Sequence, residues 1–297
     1  MPSVDPKMQE KMSVVANTVE KYLDRLLPNS DYAERKLFEA MRYGTLTGGK
    51  RLRPFLCVAT AQMFNVSEEC AYRAAAAIEM IHCFSLIHDD MPAMDDSDTR
   101  RGKPTVHKQF DEATALLAGD ALLARAFEVL ADAETHEDPR IRISLVECLA
   151  KSVGMQGMCA GQVLDIQSEQ VEFDIGTITR LQRLKTGELI SAAAQMGGIL
   201  GRCSPQQRHA LASYGYDIGL AFQIIDDVLD FTGDPNVMGK PILKDGKKAN
   251  FVTIMGLDRA RQQAELLVEK AIGYLRMFEG RTQDLADVAR FIVNRQS

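Results

Sequence analysis

Between Lys7 and Leu27 the apolar positions Met8, Met12, Val15, Val19, Tyr22, Leu23 and Leu26 recur at threes and fours, the spacing of an amphipathic helix, which Pro28 then stops. A second helix is predicted from Asp31 to Tyr43. In the next segment, GTLTGGKRLRP, Gly44, Gly48 and Gly49 break the pattern just before Lys50, Arg51 and Arg53, so it reads as a loop entering a helix near Pro54. Helical spacing resumes from Arg53 to Phe64 and from Glu68 to Asp90. The latter stretch is apolar almost all round, at Ile78, Met80, Ile81, Phe84, Leu86 and Ile87, which predicts a central, buried helix; its alanine run, Ala74 to Ala77, permits close helix approach. Pro92 disfavours helical geometry at Met91, so the helix should end between the pairs Asp89/Asp90 and Asp95/Asp96.

Further helices are predicted at 111–133, 138–155, 157–170, 176–201, 204–233, 258–278 and 283–294, and strand-like alternation is nowhere convincing. Only Gly233 to Ala249 is long, rich in Gly, Pro and Lys, and unpatterned, as a functional loop would be. With no internal linker and no repeat, the expectation is an all-α, large single-domain helical bundle spanning 1–297.

Composition alters this picture little. A formal charge of −6 argues against general nucleic-acid binding while leaving local basic clusters free to act. The N-terminal MPSVDPKMQEKM is charged where a secretory signal needs an apolar core, and no apolar run reaches the ~18 residues of a membrane span. The expectation is a cytoplasmic protein without integral membrane association. The six cysteines lack Cys-x-x-Cys spacing and lie in helical contexts, which predicts free thiols in a reducing compartment.

The chemistry concentrates in two acidic strings. The first, DDMPAMDD, places four carboxylates within eight residues at the end of an apolar helix; the second is FQIIDDVLD at 222–230. On a helix Gln223, Asp226 and Asp230 share one face. One such string on a solvated face is commonplace. Two, each preceded by an apolar run, require compensating cations, and oxygen-only donors favour a hard ion such as Mg²⁺, which substrate phosphates usually help to coordinate. Basic residues gather accordingly: Lys50, Arg51 and Arg53 after the glycine loop, Arg100 and Arg101 after the first string, Lys185 in LKTGELI, and Lys240, Lys244, Lys247 and Lys248 in the late loop. Lys244 and Lys247 read as solvated surface cations. The chain lacks a P-loop, a GxGxxG after a strand and a GxSxG elbow. His82 and His88, six apart on one helix, do not face the same way and are not a metal pair.

In order along the chain, GGKRLRP (48–54), DDMPAMDD with DTRRGKPT, GMCAGQ (157–162), LKTGELI (184–190), FQIIDDVLD (222–230) and GKKANF (246–251) make it resemble the trans-type isoprenyl diphosphate synthases, especially the bacterial farnesyl diphosphate synthases. The resemblance implies a helical bundle around a deep central cavity, a homodimer, and about three Mg²⁺ ions per site. It implies that Asp89 and Asp95 are metal ligands with Asp90 and Asp96 supporting, and that Asp226 is the second-motif ligand with Asp227 and Asp230 nearby. Lys50, Arg53, His82 and Arg101 would bind isopentenyl diphosphate. Arg100, Lys185, Thr186, Gln223, Lys240 and Lys248 would hold the allylic diphosphate and border the developing cation.

The implied reaction is ionisation of the allylic diphosphate, attack by the isopentenyl double bond, and proton loss, with no protein nucleophile. Asp89, Asp95, Arg100, Lys185 and Asp226 are the residues expected to carry it. Phe84, five before the first motif, and Ser85 would floor the cavity and set product length. This chain reads Lys248-Ala249-Asn250-Phe251 where the family often has Thr after the lysine, and Asn250 can supply the same hydrogen bonding. Within the enzymes, geranyl or geranylgeranyl products are the alternative. A terpene cyclase would not need the Lys50/Arg53/His82 set, and a non-catalytic partner subunit would be expected to have lost one acidic motif, whereas both are intact here.

Overall fold

The computed structural model describes residues 6–232 and 250–295. Two long helices carry the acidic strings: α4 (Glu68–Asp89), wrapped by α1 (Pro6–Leu26), α2 (Arg35–Thr45), α3 (Leu52–Met63) and α6 (Glu112–Ala131), and α11 (Pro205–Thr232). Around α11 pack α10 (Glu188–Leu200), α13 (Leu257–Tyr274) and α14 (Gln283–Asn294), and α10 also touches α3, α4 and α7 (Pro139–Val153), so the two halves share one hydrophobic core. The remaining helices are α5 (Val106–Gln109), α8 (Met158–Gln167), α9 (Ile175–Gln182) and α12 (Phe251–Met255).

The all-round apolar reading of α4 holds. The run Ala74 to Ala77, with Ile78, Met80 and Ile81, is fully buried, Ser67 caps the helix by accepting from the Cys70 amide, and its last helical residue is Asp89. By length and hydropathy this helix could cross a membrane, but 78% of the apolar window is buried inside the protein, which marks it as a core helix.

Three local departures have physical causes. Gly44 lies inside α2 rather than in the loop, because a β-carbon there would stand 2.6 Å from Ile87 Cδ1, and the missing side chain lets α2 close on α4. A two-residue antiparallel hairpin, β1 (Thr99–Arg100) and β2 (Lys103–Pro104), stands where no strand was expected. Its turn residues Arg101 and Gly102 both have positive φ, 54° and 75°, as a two-residue primed turn requires. The helix predicted over 176–201 is helical without a break from Ile175 to Leu200 but contains one π-helical turn, Arg183–Gly187, between α9 and α10. The long loop from Gly233 to Ala249, with Lys240, Lys244, Lys247 and Lys248, lies outside the described residues.

Candidate active site

At the end of α4 the chain coils back on itself. The Asp95 amide donates to the Asp89 carbonyl (2.9 Å), the Asp96 amide to Met91 (3.1 Å) and the Ser97 amide to Asp90 (3.1 Å), with Asp96 in the left-handed region at φ 43°. Pro92 and Ala93 thus form a tight coil that returns Asp95 over Asp89. Burial pushes the Asp89 carboxyl up to about 6; Lys185 opposes this, Asp95 adds to it, Arg100 opposes and Asp90 adds.

The hairpin separates the two arginines. Arg100, on β1, clamps the buried Asp90 with Nε at 2.9 and 2.8 Å from its two oxygens and a terminal nitrogen at 2.7 Å. Asp90, expected to support a metal, is therefore engaged with Arg100. Arg101, at the turn, swings to the glycine loop and donates to the Gly48 carbonyl. Its guanidinium packs where a side chain on Gly49 would sit, 2.7 Å from the position of a β-carbon, and Gly49 itself has φ 138°.

Arg101 thereby joins the cations of the GGKRLRP segment. Arg51 takes a left-handed φ of 47° at the start of α3 and turns inward, with its side chain fully buried. It pairs with Glu79 Oε1 at 2.6 Å and donates to the Thr45 carbonyl at 2.7 Å. This pins the loop to α4 and α2 and leaves Lys50 and Arg53 on the site. His82 is driven well below the usual imidazole range by burial and then by Arg53, Arg101, Arg100 and Arg51, so it is neutral in a strongly positive pocket. Ser85 donates to the His82 carbonyl at 2.9 Å. Loss of hydration lowers the Lys50 pKa, Arg295 adds to this and Asp226 opposes it; Arg53 also feels Asp226. The second acidic motif therefore borders this basic set.

On α11, Gln223 and Asp226 occupy successive turns. Asp226 Oδ1 accepts from Arg295 at 2.5 Å, and Arg295 also donates to the Phe222 carbonyl (2.9 Å) and lies 3.8 Å over the Phe222 ring. Asp227 accepts from the Phe251 amide (2.9 Å), holding α12 against α11. Asn250 caps α12 by accepting from the Thr253 amide (2.8 Å), while Thr253 Oγ1 accepts from the Asn250 amide (2.9 Å), so the asparagine at this position has a definite hydrogen-bonding job. Asp230 lies one turn beyond Asp226, on the exposed end of the helix.

The π-helical turn carries Lys185 and Thr186, and such turns recur at functional sites. Lys185 Nζ bonds Asp165 at 2.6 Å, and its charge reaches Asp89. A β-carbon on Gly161 would lie 2.2 Å from the Lys185 backbone nitrogen, so the GMCAGQ and LKTGELI segments meet backbone to backbone. Two features escaped the sequence reading. Arg295 gives no signal beyond following an amphipathic helix, and the Arg51–Glu79 pair joins residues with no local relationship.

The donor chemistry suits Mg²⁺. Among the described residues no three candidate ligands are gathered closely enough to hold an ion by themselves. Mg²⁺ needs only one or two carboxylates, with waters and phosphate oxygens completing its shell, and the crowded, partly desolvated Asp89/Asp95 pair offers that.

The sequence model of the polyprenyl synthetase family matches residues 34–287. The chain is 41% identical over 295 residues to the farnesyl diphosphate synthase of Haemophilus influenzae, covering 97% of this chain and 98% of that one. It is also 41% identical over 293 residues to the Escherichia coli farnesyl diphosphate synthase, covering 96% and 98%. Among solved structures, an FPP/GFPP synthase from Zymomonas mobilis in its apo form superposes with a TM-score of 0.89 at 46% identity, covering 97% of this chain and 99% of that one. The all-α architecture is that of the isoprenyl diphosphate synthases.

Two outcomes are expected. Arg51→Met leaves Glu79 buried without a partner and should cost about 3–5 kcal/mol in urea denaturation, much of it recovered in Arg51→Met/Glu79→Leu; equal stability of the single variant and the parent would refute the anchoring role. Because the folded Asp89 pKa lies above its unfolded value, the metal-free protein loses stability as pH rises from about 4 through 6, by up to roughly 3 kcal/mol. Asp89→Asn should thus be more stable than the parent at pH 7.5, with no gain at pH 4, and Mg²⁺ should narrow the gap by stabilising the parent; a gain independent of pH would contradict this.

Proposed function

The chain belongs to the polyprenyl synthetase family, and from that premise we propose that it is a farnesyl diphosphate synthase, joining isopentenyl diphosphate head to tail to dimethylallyl and then geranyl diphosphate. That it is a prenyltransferase follows from its relatives. The observation that most supports the finer reading is the meeting of two unlike pockets. One centres on Asp89 and Asp95 with Arg100 and Lys185; the other is the basic cluster of Arg53 and Arg101 around His82, with Lys50 beside Arg295 and Asp226.

In this reading the arginine-rich pocket holds the isopentenyl diphosphate by direct ion pairs, and the carboxylate side takes the allylic diphosphate. Mg²⁺, held by Asp89, Asp95 and Asp226, would neutralise the diphosphate as a leaving group. Lys185 and Arg100 stand close enough to Asp89 to add positive charge where the leaving group develops negative charge. Thr186, buried on the same π turn, and Gln223, on α11, are given the border of the allylic carbon on the resemblance alone. The apolar wall of α4 keeps water from the cation, and the proton lost after condensation leaves to the diphosphate or solvent, since no protein base is required. Lys240 and Lys248 belong to the same proposal on the resemblance alone.

Product length is assigned to Phe84, a buried ring on α4 five residues before Asp89, with Ser85 beside it. The reading also includes a cytoplasmic homodimer. Leu116 and Leu117 on α6 and Ile143 on α7 are large apolar side chains left exposed, and a second copy would cover them. Geranylgeranyl products are kept as the second reading, since relatives of that description match at similar identity, 39% for the Cyanophora paradoxa geranylgeranyl diphosphate synthase.

Incubation with isopentenyl diphosphate and dimethylallyl or geranyl diphosphate should give a Mg²⁺-dependent fifteen-carbon product by chromatography after dephosphorylation, and Phe84→Ala should lengthen it. No product with any primer would reject the enzyme reading; a twenty-carbon main product would reject the farnesyl assignment alone. Light scattering should return about twice the 32.9 kDa of one chain; a monomer would end the dimer proposal.

A further inference from the structure

His88 has no part in the chemistry above, yet it stands directly before Asp89 and one helical turn after Phe84. Its ring meets that of Phe84 edge to face, with centroids 4.9 Å apart and planes at 76°. The imidazole Nε2 lies 3.0 Å from the Leu116 carbonyl of α6; a carbonyl only accepts, so Nε2 carries the proton. The ring is seated against α6 at Gly119. A β-carbon on that glycine would lie 2.1 Å from His88 Nε2 and 2.4 Å from Cδ2, which no side-chain adjustment short of moving the ring could relieve. Gly119 is buried in the middle of a regular helix, where glycine costs about 1 kcal/mol relative to alanine. The position is thus occupied by a poor helix former whose missing side chain is filled by the imidazole.

We propose that His88 and Gly119 are specificity-determining residues: the notch at Gly119 seats the His88 ring, and that ring fixes the side from which Phe84 closes the product cavity. This rests on the reading of Phe84 as the cavity floor. The hydrogen bond to Leu116 and the notch hold the imidazole in one place, and the edge contact denies Phe84 the rotamers that would swing it toward α6. Removing the imidazole frees Phe84 to move that way and deepens the cavity. Adding a methyl to Gly119 drives the imidazole off α6 toward its own helix, pressing Phe84 inward and making the cavity shallower. The two changes act on one ring from opposite sides, so their effects on product length have opposite sign and are not additive.

The experiment measures the product distribution of the parent, His88→Ala, Gly119→Ala and His88→Ala/Gly119→Ala with geranyl diphosphate, isopentenyl diphosphate and Mg²⁺. His88→Ala should raise the ratio of twenty- to fifteen-carbon product by about tenfold, the scale of one methylene of pocket contact. Gly119→Ala should lower the mean chain length, and the double variant should follow His88→Ala, because the methyl then occupies vacated space. If Gly119→Ala alone does not fold, recovery of folding in the double variant supports the notch, and failure of both to fold overturns it. An unchanged ratio in His88→Ala, or additive effects, overturns the proposal while a fifteen-carbon parent product leaves the function reading intact. A parent that elongates no allylic primer removes both.

Discussion

Carboxylates gathered at the ends of apolar helices cannot remain unneutralised, and most of the site follows from that constraint. Four of the aspartates around the site are answered by a group of the chain itself. Arg100 clamps Asp90, Arg295 pairs with Asp226, the Phe251 amide binds Asp227, and Lys185 is placed near Asp89 while bonded to Asp165. At Asp89 the countercharges do not offset the loss of hydration, so its proton affinity is raised. A carboxylate left with excess negative charge, with Lys185 and Arg100 close by, has the character the proposed metal-borne diphosphate would need.

Backbone geometry then decides where the countercharges go. The left-handed turn at Arg101 and Gly102 sends consecutive arginines in opposite directions, one to the acidic coil and one to the glycine loop. The left-handed residue Arg51 does the same for its neighbours: its own side chain goes inward to Glu79, and Lys50 and Arg53 are left for the pocket. In both places a short sequence of like charges is divided among different tasks by one or two unusual φ angles, at a strain cost of order 1 kcal/mol per non-glycine residue.

What the sequence made legible, and what it did not, follows from the range of each interaction. The apolar all-round pattern of α4 and the stop at Pro92 are local, so the buried helix was readable and its end nearly so: it stops after Asp89, inside the first aspartate pair rather than between the two. The shared face of Asp226 and Asp230 was readable too. The hairpin was not, because two residues per strand leave no alternation to detect, although Arg101-Gly102 is a turn signal in hindsight. Gly44 was misread as a loop residue because its reason for being glycine lies on another helix, at Ile87. The π turn at 183–187 has no periodic signature distinguishable from an α-helix at that length. Arg295 reaches Asp226 across 69 positions, and no pattern within either segment announces the pair.

The two halves of the site carry opposite electrostatic signatures, and this difference bears on how they would tell their substrates apart. Asp89 holds its proton too tightly for a free carboxylate, the mark of excess negative charge and lost hydration. His82 refuses a proton that a free imidazole would take, since burial and four arginines oppose it. A bare diphosphate is repelled by the first and attracted by the second; a diphosphate carrying divalent cations gains at the first and loses much of its attraction to the second. Both substrates of the proposed reaction end in the same head group, so contacts to the diphosphate alone cannot sort them. Metal loading can, because it reverses the sign of the head group. In the proposed reaction, carboxylates at one pocket and guanidinium groups at the other would turn that reversal into an address, leaving the hydrocarbon tails to be distinguished by the apolar wall of α4.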